Sequence, residues 1–154
     1  LDKVGQDESD TAELFFENVR VPHDHIIGEL DQGFIHMMNW LPQERLGSAV
    51  TNLAHARQIL DETVTYTKDR KAFGQSIGQF QHNKFLLAEL STEVQIGQVY
   101  VDRCVELHCS GQLSAEQAAA AKFWTTELQN KVVDRCLQLH GGYGYMLEYP
   151  IARA

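Results

Sequence analysis

The sequence predicts an all-α fold: an up-and-down four-helix bundle whose fourth helix is truncated, preceded by a short strand segment. Three observations lead there. Three stretches of about 25 residues repeat apolar side chains at helical spacing, as bundle helices do. Short breaking segments separate and close them, at Arg70–Gln81, Ser110-Gly111 and Gly141-Gly142. Residues 11–22 instead alternate with period two until Pro22 ends the run.

In that first run Phe15, Val19 and Val21 share a face, which reads as one strand of a sheet whose partners lie outside the chain, because a lone strand cannot place its ladder hydrogen bonds. Asp31-Gln32-Gly33 makes a turn. Pro42 removes a backbone donor and suits a first helical turn, so a short helix over 34–40, a break, and a long helix from Pro42 to about Lys68 are expected. Its inward face is Leu46, Ala49, Val50, Leu53, Leu60 and Val64. The next helix spans about Phe80 to His108, with Leu87, Leu90, Val94, Val101 and Val105 inward. Ser114 and Gln117 have the form of a capping box for a third helix carrying Ala118, Ala121, Leu128, Val132 and Leu139. Gly141-Gly142 stops that helix, and Pro150 opens a fourth.

At 154 residues, with 44% hydrophobic and 22% charged side chains, the chain can bury one real core. No run nears the roughly 18 apolar residues that span a bilayer, and there is no basic-then-apolar leader. The chain opens at Leu1 without a methionine and stops within a fresh segment at Ala154, so it reads as part of a longer polypeptide. Net charge of −8 argues against a nucleic-acid surface. Cys104, Cys109 and Cys136 lack CxxC spacing, which points to reduced thiols in an intracellular protein.

Positive charge is densest around the first connector. Lys68, Arg70, Lys71 and Lys84 against Asp69 give +3 in residues 68–84, leaving −11 elsewhere. Solvated cations on an ordinary loop explain this, and so does a seat for a phosphate-bearing aromatic cofactor beside Phe73 and Phe80. A second constellation is Trp40-Leu41-Pro42-Gln43-Glu44-Arg45. Enclosure by apolar neighbours would raise the pKa of Glu44 and make it a competent base, whereas a first-turn glutamate favoured by the helix dipole is the plainer reading. A third, Gln138-Leu139-His140-Gly141-Gly142-Tyr143-Gly144-Tyr145, combines glycines that admit close approach with aromatics that can pack on a ring, although a helix stop also explains the glycines. It is not GxGxxG and follows no strand, so it is no Rossmann signature.

One echo imitates a metal set. Val101-Asp102-Arg103-Cys104 through His108 recurs as Val133-Asp134-Arg135-Cys136 through His140. Both copies end consecutive antiparallel helices, which separates the Cys–His pairs by roughly 35–40 Å at 1.5 Å per residue. No metal site is expected.

Taken in order, these residues resemble the acyl-CoA dehydrogenase family, close to its long-chain type, over essentially the whole chain. The carriers are Asp10 through Pro22, Gly33-Phe34, Leu41 through Leu46, Arg70-Lys71-Ala72-Phe73-Gly74 with Gln81, and Gln138 through Tyr145 with Glu148-Tyr149-Pro150. The resemblance implies the end of a middle β-domain and connector over 1–30 and an incomplete C-terminal helical domain over 31–154. It implies FAD-dependent α,β-dehydrogenation of fatty acyl-CoA thioesters in β-oxidation. An electron-transferring flavoprotein would be the acceptor, and the compartment a mitochondrial matrix or bacterial cytoplasm.

By the same resemblance Arg70 matches the arginine on the FAD pyrophosphate of a neighbouring subunit, with Phe73 and Gln81 beside that nucleotide. Gln138, Gly141 and Gly142 match a second FAD contact, so the site is shared within a homo-oligomer, a dimer or tetramer. Ala72 stands where some members carry threonine, which removes a hydroxyl contact. Glu44 matches the catalytic base of long-chain and isovaleryl-type members, while others place it late in the chain, beyond Ala154. Arg45 matches an arginine that orders the base, and Pro42 and Gln43 border the acyl-CoA pocket. Two alternatives remain: a non-catalytic helical assembly module, and an acyl-CoA oxidase with oxygen as acceptor. The isolated chain is expected to be inactive and to hold FAD poorly.

Overall fold

The computed structural model describes residues 1–6 and 9–154. They divide into two compact units, Leu1–His36 and Met37–Ala154. In the first, a single 3-10 turn at His23–His25 is the regular structure ahead of Gly33 among the described residues. The strand expected within 11–22 does not form: Phe15, Val19 and Val21 are all exposed, and among the described residues no neighbouring strand is present to exchange ladder bonds with.

Three long helices make the second unit: α1 (Gly33–Asp69, in this unit from Met37 onward), α2 (Gln81–Cys109) and α3 (Ala115–His140). The break expected before Pro42 is absent, since α1 runs through it. Proline deletes only the bond its own N–H would make to the carbonyl four residues back, and the turns on either side keep theirs. At 1.5 Å per residue α1 is about 55 Å long. As expected, Ser114 caps α3 in a box: its Oγ accepts from the Gln117 N–H at 3.2 Å, and its own N–H donates to Gln117 Oε1 at 3.0 Å. The fourth segment is a 3-10 turn, Pro150–Arg153, with proline at its start and Ile151 buried in the core.

Hydrogen bonds fix the helix directions. Asn52 donates to Thr126, His55 contacts Gln129 and Tyr66 donates to the His140 carbonyl, every pair 74 residues apart. A constant offset means that α1 and α3 run parallel and in register. Between α2 and α3 the order inverts: Lys131 reaches Glu89 and Glu93 at 2.8 and 2.7 Å, while Tyr100 reaches back to the Gln117 carbonyl. The topology is therefore up, down, up. The two carboxylates hold the Lys131 ammonium above its usual pKa and Lys131 draws Glu89 down, but at such exposure the bridge contributes more to register than to stability.

The helices meet at Gly97 of α2. A Cβ there would lie 2.8 Å from Trp124 Cζ3, 3.0 Å from Leu53 Cδ1 and 3.4 Å from Leu128 Cδ2. Each of those residues stands near the middle of its own helix. Leu53, Leu90 and Val132 are sealed within the core. Gly97→Leu should destabilise the bundle by about 3 kcal/mol through overpacking, read as a lower denaturant midpoint at unchanged slope. An unchanged midpoint would show that the crossing has slack.

Two valines expected inward, Val50 and Val105, are 42% and 38% exposed. They flank the seam instead of filling it, because the stripe that three slender helices bury is narrower than the apolar pattern. The Cys–His echo reflects this seam too. Val101 and Cys104 on α2 and Cys136 and His140 on α3 are buried, while the intervening Asp-Arg pairs face outward. Burial pushes the Cys104 and Cys136 thiols up, and all three cysteines are free. Among the described residues no cluster of three His, Cys, Asp or Glu side chains could hold a metal ion, and no helix is long and apolar enough to cross a membrane.

Candidate functional site

Because α1 and α3 are parallel, their C-terminal ends lie side by side, and the connector between α1 and α2 folds over them. It forms a small hairpin, β1 (Lys71–Ala72) antiparallel to β2 (Gln75–Ser76), pairing Lys71 with Ser76 and Ala72 with Gln75. The hairpin is anchored through Arg70, whose N–H bonds the Tyr66 carbonyl at 2.8 Å and whose carbonyl accepts from the Ile77 N–H at 2.8 Å. A cavity of about 800 Å³ opens between the hairpin and the end of α3, the size of a cofactor site.

Arg70, Phe73, Gln138, Gly141 and Gly142 all line it. Gln81, the first residue of α2, does not. The floor is aromatic. Tyr66 stacks on His140 with centroids 4.1 Å apart at 15°, and Tyr149, outside the cavity lining, meets Tyr66 edge-on at 6.0 Å. His140, 8% exposed, places Nδ1 2.9 Å from the Cys136 carbonyl, which can only accept, so that nitrogen carries the hydrogen. Burial pushes the Tyr66 phenol up, partly opposed by Arg70, which keeps it a hydrogen-bond donor. The Arg70 guanidinium lies 4.9 Å from the Tyr143 ring centroid in a cation–π contact.

The glycines here serve different ends. Gly141 closes α3 at φ +56°, a conformation that a side chain would strain. Gly144 approaches the Leu137 carbonyl so closely that a Cβ would sit 2.9 Å from its oxygen. Gly142 has neither reason: its φ is ordinary and a Cβ would meet nothing within 4 Å. Within this chain nothing demands glycine there, and the space it leaves belongs to the cavity.

Phe73 is the other anomaly. With Gly74 it forms the two-residue hairpin loop, at φ +55° and +82°, the pattern of a type I′ turn that favours Asn-Gly. A bulky aromatic at positive φ is an outlier, and this one is 96% exposed, touching Phe80 edge-on at 6.3 Å. Strain without burial is characteristic of residues held for contact with something else.

The cation cluster read from the sequence is divided by the hairpin. Arg70 lines this cavity, while Lys68, Lys71 and Lys84 line another. Adjacent residues of an extended segment point to opposite faces. Sequence reasoning also missed Tyr66 and Arg135 as lining residues. Tyr66 precedes Arg70 by four positions, and Arg135 precedes Gln138, Leu139 and Gly142 by three, four and seven, all same-face helical spacings that could have found them.

The second constellation lies elsewhere. Glu44 is 25 residues before the end of α1, about 38 Å from the Arg70 end at 1.5 Å per residue. Its side chain is exposed, so the apolar enclosure expected around it is not built by the described residues; Trp40, four positions earlier on the same face, is 61% exposed. Pro42 and Gln43 line a cavity of about 400 Å³ with Trp40, His108 and Leu113. Arg45 is half-buried and makes no ion pair among the described residues.

Comparison with known proteins gives a consistent picture. The family described as acyl-CoA dehydrogenase, C-terminal domain, matches residues 31–154. A long-chain specific acyl-CoA dehydrogenase, mitochondrial, of Mus musculus is 46% identical over 154 residues, which is 100% of this chain and 36% of that protein. Subunit CarC of the caffeyl-CoA reductase-Etf complex of Acetobacterium woodii is 34% identical over 98% of this chain and 40% of its own length. The crystal structure of an acyl-CoA dehydrogenase from Geobacillus kaustophilus superimposes with a TM-score of 0.86 at 42% identity, covering 90% of this chain and 37% of that one. The chain thus spans little more than a third of these relatives.

Proposed function

This chain belongs to the acyl-CoA dehydrogenase family, and on that premise we propose that it is the C-terminal helical part of an FAD-dependent enzyme converting fatty acyl-CoA thioesters to trans-2-enoyl-CoA in β-oxidation. The observation that carries this reading is the gathering of Arg70, Phe73, Gln138, Gly141 and Gly142 on one cavity from segments far apart in sequence. The residues present fit a dinucleotide. Arg70 offers a planar fork for a diphosphate, the aromatic floor suits a ring, and Gly142 leaves an opening that the chain itself does not use. Gln81 would contact the same nucleotide from the start of α2.

In this reading FAD, when bound, supplies the acceptor for the hydride lost from the β-carbon. Glu44 takes the α-proton on a carboxylate oxygen. Glu44 is exposed here, so water would be excluded from it by the seated acyl chain and the rest of the protein, beside the bare surface of Trp40. Pro42 and Gln43 border that chain, and Arg45 orders the base. Glu44 and Arg70 sit near opposite ends of a rigid helix, so they attend different flavins: Arg70 reaches into a neighbouring subunit of a dimer or tetramer. Electrons would leave to an electron-transferring flavoprotein, a partner in keeping with the Etf complex to which the Acetobacterium woodii relative belongs. The compartment would be a mitochondrial matrix or bacterial cytoplasm.

The test is anaerobic flavin bleaching of the full-length protein with acyl-CoAs of graded length. Bleaching that peaks at one chain length is expected. No bleaching with any thioester would leave an assembly module, and peroxide formed in air during turnover would make the protein an oxidase. Phe73 provides a finer probe. Phe73→Asn installs the residue that the turn favours, so the hairpin should gain about 0.5–1 kcal/mol while flavin retention falls. Equal flavin content in both proteins would remove Phe73 from the site.

A further inference from the structure

The hairpin has two faces, and the flavin reading uses one. On the other is a cleft of about 820 Å³ into which three elements each send a lysine: Lys68 from the last turn of α1, Lys71 from β1 and Lys84 from the start of α2. The chain holds 21 acidic residues against 13 cationic ones, yet no carboxylate lines this cleft. None of the three lysines makes an ion pair among the described residues. Like charges drawn together without a counter-charge repel, and an acidic chain has carboxylates enough to relieve that had relief been the arrangement. Gln75, Ser76 and Gln79 add uncharged hydrogen-bonding groups to the same wall. We propose that the Lys68–Lys71–Lys84 cleft is an anion site for an oligophosphate group, separate from the Arg70 cavity.

Its chemistry differs from that of the Arg70 side. Three flexible ammonium groups bind as point charges and adapt to a phosphate chain of variable pose, whereas a guanidinium fork imposes one geometry. The volume falls in the small-molecule range, whereas a nucleic acid requires a broad basic stripe. A free oligophosphate and the phosphates of a nucleotide present the same group, and the two are told apart by the probe.

The experiment titrates inorganic pyrophosphate, and separately ADP, into the full-length protein by calorimetry, with flavin content followed by absorbance in the same samples. Saturable one-to-one binding that weakens with added salt is expected, falling about tenfold for each of Lys68→Ala, Lys71→Ala and Lys84→Ala, since a charge-assisted contact contributes about 1.5 kcal/mol. All three side chains are exposed, so the variants should fold and keep their flavin. Binding should survive in Arg70→Ala. ADP binding no tighter than pyrophosphate supports the site with a free oligophosphate as ligand, and tighter ADP binding supports it with a nucleotide. Absence of saturable binding overturns the proposal. So does binding that persists in the triple lysine variant but vanishes in Arg70→Ala, or flavin lost together with the lysines, which would make them part of the cofactor site.

Discussion

Full-length protein carrying Glu44→Gln should remain yellow and yet reduce its flavin with acyl-CoA about 10²- to 10⁴-fold more slowly, the range by which a positioned base accelerates proton transfer. The side chain is exposed and makes no side-chain hydrogen bond or ion pair among the described residues, so neither folding nor the distant Arg70 cavity should change. The amide keeps the size and loses the basicity. Stopped-flow bleaching separates the outcomes. Intact flavin with slow reduction assigns the α-proton to Glu44, and reduction at the parental rate moves the base to a position beyond Ala154.

Arg70→Ala should have the converse phenotype: a folded protein that has lost its flavin. Deleting a guanidinium from a diphosphate contact costs about 2–4 kcal/mol, or roughly 30- to 1000-fold in affinity. Within the chain the same deletion forfeits the contact with Tyr143, about 0.5–1 kcal/mol at an exposed site, and breaks no ion pair among the described residues. The binding loss therefore exceeds the folding loss, and the visible-to-ultraviolet absorbance ratio after gel filtration should fall while the melting temperature of the apoprotein barely moves. Arg70→Lys should recover part of the affinity, since it restores charge without the fork. A fully flavinated Arg70→Ala protein would sink the assignment.

Much of the fold could be read from the chain because its signals are local. The Ser114–Gln117 box, the Gly141 stop and the inward positions of α2 and α3 other than Val105 follow from nearest-neighbour chemistry, and they stand where the pattern puts them. Pro42 misleads because proline signals a break in the sequence, whereas here it removes a single bond from a helix otherwise intact. The run at 11–22 depends on partners that its own residues cannot supply.

The candidate site divides along the same line. That Arg70 and Gln138 share a cavity is invisible to any local rule and follows from the parallel pairing of α1 with α3. The separation of Arg70 from Lys71 is, by contrast, the ordinary alternation of extended backbone, lost when four cations are counted as one run. His140 shows a third case: nothing in its neighbours in sequence says that its ring lies flat on Tyr66.

Gly97 leaves room at mid-height for Trp124, Leu53 and Leu128, all of which a Cβ there would meet. Packing at that level depends on a side chain that is absent: any larger residue would displace side chains of both other helices, so this level tolerates less change than the open cavity at the Arg70 end.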